Sequence, residues 1–181
     1  MYDMFKVKAE AVGSEVHRFG TKADSLNFLV SLLKREEIKD APGFYAVWAE
    51  CPIFQGSEVK NLTKTVPGLK FDVTRQLAKD SKIGVTQAAW GLANTGTIVQ
   101  SSFAVEQRLA SSLPWIHVAL LNTGNIIADL AALTAKVHPK KNDYTALITG
   151  PSRTADIERV LAIGVHGPER LIIICIDEMG R

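Results

Sequence analysis

A chain of 181 residues with 46% hydrophobic and 22% charged residues is long enough for one buried core and ordinary in make-up for a globular protein. Its 21 basic and 19 acidic residues leave a formal net charge of +2, too balanced for a surface that coats nucleic acid. No apolar run approaches the roughly 18 residues of a membrane span, and Met1-Tyr2-Asp3-Met4-Phe5-Lys6 lacks the basic-then-apolar order of a secretory signal, so a cytoplasmic location is expected.

Taken in order, Met1 to Val12 predicts a short helix ended by Gly13, and Glu15-Val16-His17-Arg18-Phe19 a strand. Thr21 to Asp24 resembles a capping box with Asp in the acidic place. Leu26, Leu29, Val30 and Leu33 then form one stripe, predicting an amphipathic helix over 22–36. Ala41-Pro42-Gly43 is a turn, Phe44 to Trp48 a strand, and Glu50-Cys51-Pro52 a loop. Residues 53–70 are mixed, with a turn at Pro67-Gly68. Asp72 is placed to cap a short helix through Ala78.

Lys82 to Trp90 begins as a strand, Asn94-Thr95-Gly96 turns, and Thr97 to Gln100 returns, predicting a hairpin-like insertion. A short helix is expected over Val105 to Ser111. Trp115 to Leu121 is almost continuously apolar, the mark of a parallel strand covered on both faces. Asn122 to Asn125 is read as a turn into a helix with Ile126, Leu130, Leu133 and Val137 on one face, closed by His138-Pro139-Lys140-Lys141. Tyr144 to Ile148 reads as a buried strand, and Leu171 to Ile176 as the last.

Between those two strands lies Thr149-Gly150-Pro151-Ser152-Arg153-Thr154-Ala155-Asp156, followed by Ile157, Val160 and Leu161 at helical spacing. The expectation is a strand-to-helix turn. Gly150 relieves backbone sterics, Pro151 stiffens the chain, and Ser152 or Thr154 caps the new helix. Arg153 would offer a planar fork at the helix's positive end, making an anion cradle. A capped turn with a solvated arginine, or an Arg153–Asp156 pair that locks the loop, explains the same residues. In a parallel sheet ligands sit beyond the carboxyl ends of the strands, where the loops Glu50–Pro52, Asn122–Asn125 and Gly150–Asp156 are expected to meet.

Other chemistry is thin. Gly91 to Thr97 lacks the lysine of a phosphate-binding P-loop, and no Gly-x-Gly-x-x-Gly follows a strand. Two cysteines cannot ligate an iron–sulfur cluster by themselves. Cys175 reads as a small buried hydrophobe; Cys51, in a loop, is a candidate reactive thiol. His17, His117, His138 and His166 have no metal-ligand spacing, and His117, inside an apolar strand, reads as a core residue. Ser152 has no identifiable base.

The run Ile148 to Glu158 with Gly164-Val165-His166-Gly167-Pro168, and upstream Thr95-Gly96-Thr97 and Arg108 to Pro114, resembles the lactate utilization (LUD) domain family, in particular its lactate utilization protein C branch. The resemblance covers most of the chain. It implies a single domain over 1–181, with 1–20 as an N-terminal helix and strand. The implied fold is α/β: a mainly parallel Rossmann-like sheet flanked by helices, the NagB/RpiA/CoA-transferase-like fold shared with sugar-phosphate isomerases and formyltetrahydrofolate cyclo-ligase. It also implies a role as the non-iron–sulfur component of a system oxidising L-lactate to pyruvate, with no cofactor on this chain and the clusters on partner proteins. The candidate ligand-binding residues are Gly150, Ser152, Arg153, Thr154, Asp156, Arg108, Thr95, Gly96, Thr97 and His166, around a small anionic metabolite. Arg108 and Arg153 are expected in one pocket. The family pattern has an acidic residue before the Thr-Gly-Thr turn, whereas this chain has Asn94. That removes the carboxylate a stand-alone CoA-transferase would need, leaving such an enzyme, or a lactate sensor, as the alternative.

Overall fold

The computed structural model describes residues 1–54, 59, 61–101, 103–137, 144–155, 161–163 and 166–177. Helix α1 (Tyr2–Ala11) leads into β1 (Glu15–Phe19), α2 (Lys22–Arg35) and β2 (Tyr45–Trp48). Short α3 (Leu62–Thr65) precedes β3 (Leu69–Lys70), and α4 (Arg75–Lys79) precedes β4 (Ser81–Ala88). Next come β5 (Trp90–Leu92), β6 (Thr97–Ser101), α5 (Val105–Ser112) and β7 (Ile116–Asn122). After a 3-10 turn at Thr123–Asn125 follow β8 (Ile126–Ile127), α6 (Leu130–Thr134), β9 (Thr145–Ile148), β10 (Arg153–Ala155), β11 (Leu161–Ile163) and β12 (Arg170–Ile176).

Six strands form a parallel sheet in the order β1-β12-β7-β4-β2-β3. Its two faces are covered by different material. On one, Leu29, Leu32 and Leu33 of α2 pack on Val118, Leu120, Ile172, Ile174 and Ile176. On the other, Phe5 and Ala9 of α1 and Ile98 of β6 pack on Ala119, Leu121, Leu171, Ile173 and Cys175. Alternate residues of β7 and β12 thus enter two cores, which is why both strands are apolar along most of their length. The second cover includes a small sheet, β8-β5-β6-β9, built on the expected β5–β6 hairpin. An α/β fold with a mainly parallel sheet flanked by helices is therefore what the chain adopts.

Local signals in the first half hold closely. Thr21 Oγ1 accepts the Asp24 N–H at 3.1 Å and donates to Asp24 Oδ2 at 2.7 Å, starting α2 where the capping box predicts. The cap of α4, however, is Thr74 rather than Asp72: extended Thr74 directly precedes the helix and its Oγ1 accepts the Leu77 N–H at 3.2 Å.

The second half departs from the expected strand–helix alternation in three places. Ile126 belongs to a strand: the Asn122 carboxamide accepts the Gly124 N–H at 2.8 Å and closes a tight turn, so Ile126 and Ile127 reach β5 and pair with it. The helix restarts only at Leu130, under an Asp129 cap. The strand at 145–148 pairs antiparallel with β6 at the edge of the small sheet, with Leu147 49% exposed, instead of joining the parallel sheet as a buried strand. Where a helix was expected after Ser152, Arg153–Ala155 and Leu161–Ile163 pair as antiparallel strands. A short apolar run does not declare its period, and here a partner strand decides it. His138 to Lys141, and Ile157 and Val160, lie outside the described residues.

Candidate functional site

The Thr149–Ser152 turn is held at two points. Gly150 has φ +75, and a β-carbon there would meet the Val12 carbonyl oxygen at 2.5 Å. The Ser152 N–H donates to the Pro168 carbonyl at 2.8 Å, fastening the turn to the segment that enters β12. Between this turn, α5 and the sheet lies a cavity of about 350 Å3, with Arg108, His117, Tyr144, Thr149, Ser152 and His166 in its wall. His117 and Leu171 are register partners near the starts of β7 and β12, and both line it. The cavity therefore opens at the amino ends of the central strands. The expected position beyond the carboxyl ends is not the one this turn serves, because the small sheet folds β9 and the turn back toward the strand starts.

At the carboxyl ends lies a second cavity, about 520 Å3, lined by Glu50, Pro52, Gln87 and Gln107 among others. The three loops expected to meet are divided: Glu50–Pro52 borders this cavity, Gly150–Ser152 the first, and Asn122–Asn125 neither among the described residues.

The residues named from the sequence are placed as follows. Arg108, Gly150, Ser152 and His166 line the first cavity together. The Arg108 guanidinium carbon stands 5.4 Å from the centre of the Tyr144 ring, placing a cation against an aromatic face at the rim. Arg153 turns the other way: its Nη2 donates to the Val12 carbonyl at 2.7 Å, bracing the turn against the end of α1. The two arginines thus do not share the cavity wall. Thr154 contributes backbone to β10, and Asp156 lies outside the described residues. Thr95, Gly96 and Thr97 support the site from behind. Thr95 Oγ1 and Thr97 Oγ1 are 2.7 Å apart, and Thr97 Oγ1 is 2.7 Å from Thr149 Oγ1, which lines the cavity. Gly96, at φ +69, presses on the backbone of Lys8 and Ala9.

His117 is the residue that sequence reasoning assigned only to the core. It is 1% exposed, as a core residue should be, yet it also forms cavity wall. Burial pulls its pKa down to about 4, so the ring is neutral near pH 7. It is the first member of a buried polar chain: His117 Nε2 is 2.8 Å from Thr86 Oγ1, which is 3.3 Å from Gln100 Oε1. Gln100 Nε2 donates to the Gln107 carbonyl at 2.9 Å, and Gln107 Nε2 to the Glu50 carbonyl at 2.6 Å. The available signal was a polar residue inside an apolar strand, which demands a partner; Thr86 and Gln100 are polar residues of the same kind on β4 and β6.

Both thiols are quiet. Cys51 is buried with Sγ donating to the Ala49 carbonyl, and burial pushes its thiol up to about 12; burial does the same to Cys175. The proposed reactive role of Cys51 is not supported. Among the described residues no group of three metal-ligating side chains comes together, and no helix is long and apolar enough to cross a membrane.

The LUD domain family model matches residues 2–176. The chain belongs to the LUD domain family. Among curated LUD relatives, lactate utilization protein C of Halalkalibacterium halodurans is 34% identical over 107 residues, 56% of this chain and 46% of that protein. Lactate utilization protein C of Bacillus licheniformis is 33% identical over 113 residues, 59% of this chain and 47% of its own length. The uncharacterized protein YkgG of Escherichia coli is 35% identical over 107 residues, again 56% and 46%. The alignments thus span about half the length of these relatives. A crystal structure of a DUF162 family protein from Deinococcus radiodurans superposes with a TM-score of 0.66 over 97% of this chain and 95% of that one, at 16% identity, and shares the fold of this LUD domain.

Proposed function

We propose that this LUD domain acts in lactate utilization as the non-iron–sulfur component of a lactate-to-pyruvate oxidation system. In this reading it holds a small anionic metabolite in the cavity beside Arg108 and associates with cluster-bearing proteins that carry the electrons. The observation that supports it most is a cavity with a cation, hydroxyls and histidines in its wall, in a chain similar to proteins named lactate utilization protein C. A guanidinium suits a carboxylate because it offers paired donors in one plane. Two buried, unreactive thiols fit a chain that leaves cluster ligation to its partners.

A stand-alone CoA-transferase is the weaker reading. It needs a carboxylate nucleophile, Asn94 stands at the family's acidic position, and no Asp or Glu is among the described residues lining the first cavity.

The deciding experiment is affinity purification of the tagged full-length protein from its lactate-grown host under anaerobic conditions. Co-purification of iron–sulfur proteins with lactate-oxidising activity is expected. Recovery of the chain without such partners, with full lactate growth after its gene is deleted, would overturn the proposal.

A further inference from the structure

The larger cavity, about 520 Å3, lies beyond the carboxyl ends of β2 and β4, and the residues that directly follow those strands, Ala49 and Ala89, line it. Open parallel sheets receive ligands at that end, and the volume is that of a small-molecule pocket. Phe71 and Phe103 stand in its wall with 39% and 69% of their surface exposed. Phe71 is held there by the buried Trp48, the ring centres 6.0 Å apart. The charge of the wall has one sign: Glu50 and Glu106 line it, and no Lys, Arg or His does so among the described residues. Both glutamates are exposed, and neither carboxylate has an ion-pair partner among the described residues. Glu106 lies in the first turn of α5 and offsets the positive end of that helix; Glu50 has no such counterpart. The Glu50 backbone is fixed all the same, its carbonyl accepting the Gln107 amide N–H at 2.6 Å, which ties the loop after β2 to α5. Across a cavity of this size, within a screening length of about 8–10 Å, the two charges set a negative potential whatever rotamer each adopts.

We propose that this cavity is a second ligand site and takes a small organic cation, an ammonium or guanidinium group carried on an apolar body. The cation answers the carboxylates and the aromatic side chains together, because a ring attracts positive charge over its face. The apolar body covers Phe71 and Phe103, whose exposed surface is costly to hydrate. The site stands apart from the anion site beside Arg108: one cavity carries an arginine at the amino ends of the strands, the other carries glutamates at the carboxyl ends.

The test is a titration of the full chain at pH 7 and low salt, followed by 1H–15N NMR, with two probes of one shape: phenethylamine, which is a cation at that pH, and the neutral 2-phenylethanol. The amine should bind about fivefold or more tighter than the alcohol, and its shifts should centre on Glu50, Phe71 and Phe103. Glu50→Gln combined with Glu106→Gln removes both charges from exposed positions and keeps the backbone bond to Gln107, so the two affinities should come within about twofold of each other. Phe103→Ala, at an exposed ring, should weaken both probes. Equal binding of amine and alcohol, an amine preference that survives the double substitution, shifts centred on Tyr144 and Ser152, or no binding at millimolar concentration would each overturn the proposal. None of these outcomes depends on whether an anion binds beside Arg108.

Discussion

At the scale of single residues, His117 couples the site to stability through its proton. Unfolded, an imidazole titrates near its usual value of about 6.5; in the folded chain burial lowers it to about 4. Between those values the unfolded state binds more protons, so stability is full above about pH 6.5 and falls as the pH drops toward 4, by about 3 kcal/mol in total. His17, also lowered by burial, adds a slope of the same sign. Glu36 behaves differently. Burial raises its pKa, but hydrogen bonds from Arg170 and Lys82 outweigh this and hold it below the usual value, so its contribution is lost at lower pH than most of the His117 effect. Denaturant unfolding from pH 7 to 4.5 should show the His117 loss, and His117→Gln should flatten most of it; an unchanged slope would mean the ring is not held neutral by burial. Gly150→Val should lower stability by about 1–3 kcal/mol, because φ +75 is costly for a β-branched residue and the Val12 carbonyl blocks its β-carbon. Thermal unfolding checks this, and an unaltered melting temperature would refute the backbone assignment. Arg153→Ala should cost less than about 1 kcal/mol, the donor being exposed, and leave anion affinity within about twofold, since Arg153 braces α1 instead of lining the cavity.

At the scale of elements, the cavity exists because α5 lies directly on the sheet. Gly84 on β4 makes the close approach possible: a β-carbon there would run into the Ala110 carbonyl and Pro114. Gly84→Ala should lift α5 and cost about 1–3 kcal/mol, with loss of ligand binding at temperatures where the protein is still folded; calorimetry and titration separate the two effects. The same scale shows why some elements were legible and others not. α2 announces itself through its Thr21 cap and its apolar stripe, both local. The fates of 126–127 and 145–148 depend on pairing partners distant in the chain, such as β6 opposite β9, while 153–155 and 161–163 are decided by pairing with each other. For 126–127 and the residues after Ser152 the apolar pattern suits a helix or a strand equally well, and for 145–148 local sequence named the strand but not the sheet edge it joins.

Across the whole molecule, α1 joins the two sheets. Phe5 and Ala9 are fully buried in one cluster with Leu121 and Leu171 of the parallel sheet and Ile98 of the small one. Phe5→Ala should cost about 3–5 kcal/mol by transfer and cavity creation, and unfolding should stay a single transition; two separated transitions would mean the sheets fold independently. Sequence alone determined what is written in local chemistry: the α/β class, the doubly covered strand β7, the β5–β6 hairpin, a turn at Gly150 that needs glycine's steric freedom, and the family, through signatures that include the run from Ile148 to Glu158. Tertiary structure alone decided which end of the sheet carries the cavity, that Arg108 faces it while Arg153 does not, and that His117, Thr86 and Gln100 form one hydrogen-bonded chain. Those facts follow from strand order and long-range pairing, which bring together residues 14 to 141 positions apart in the chain, and no local periodicity encodes them.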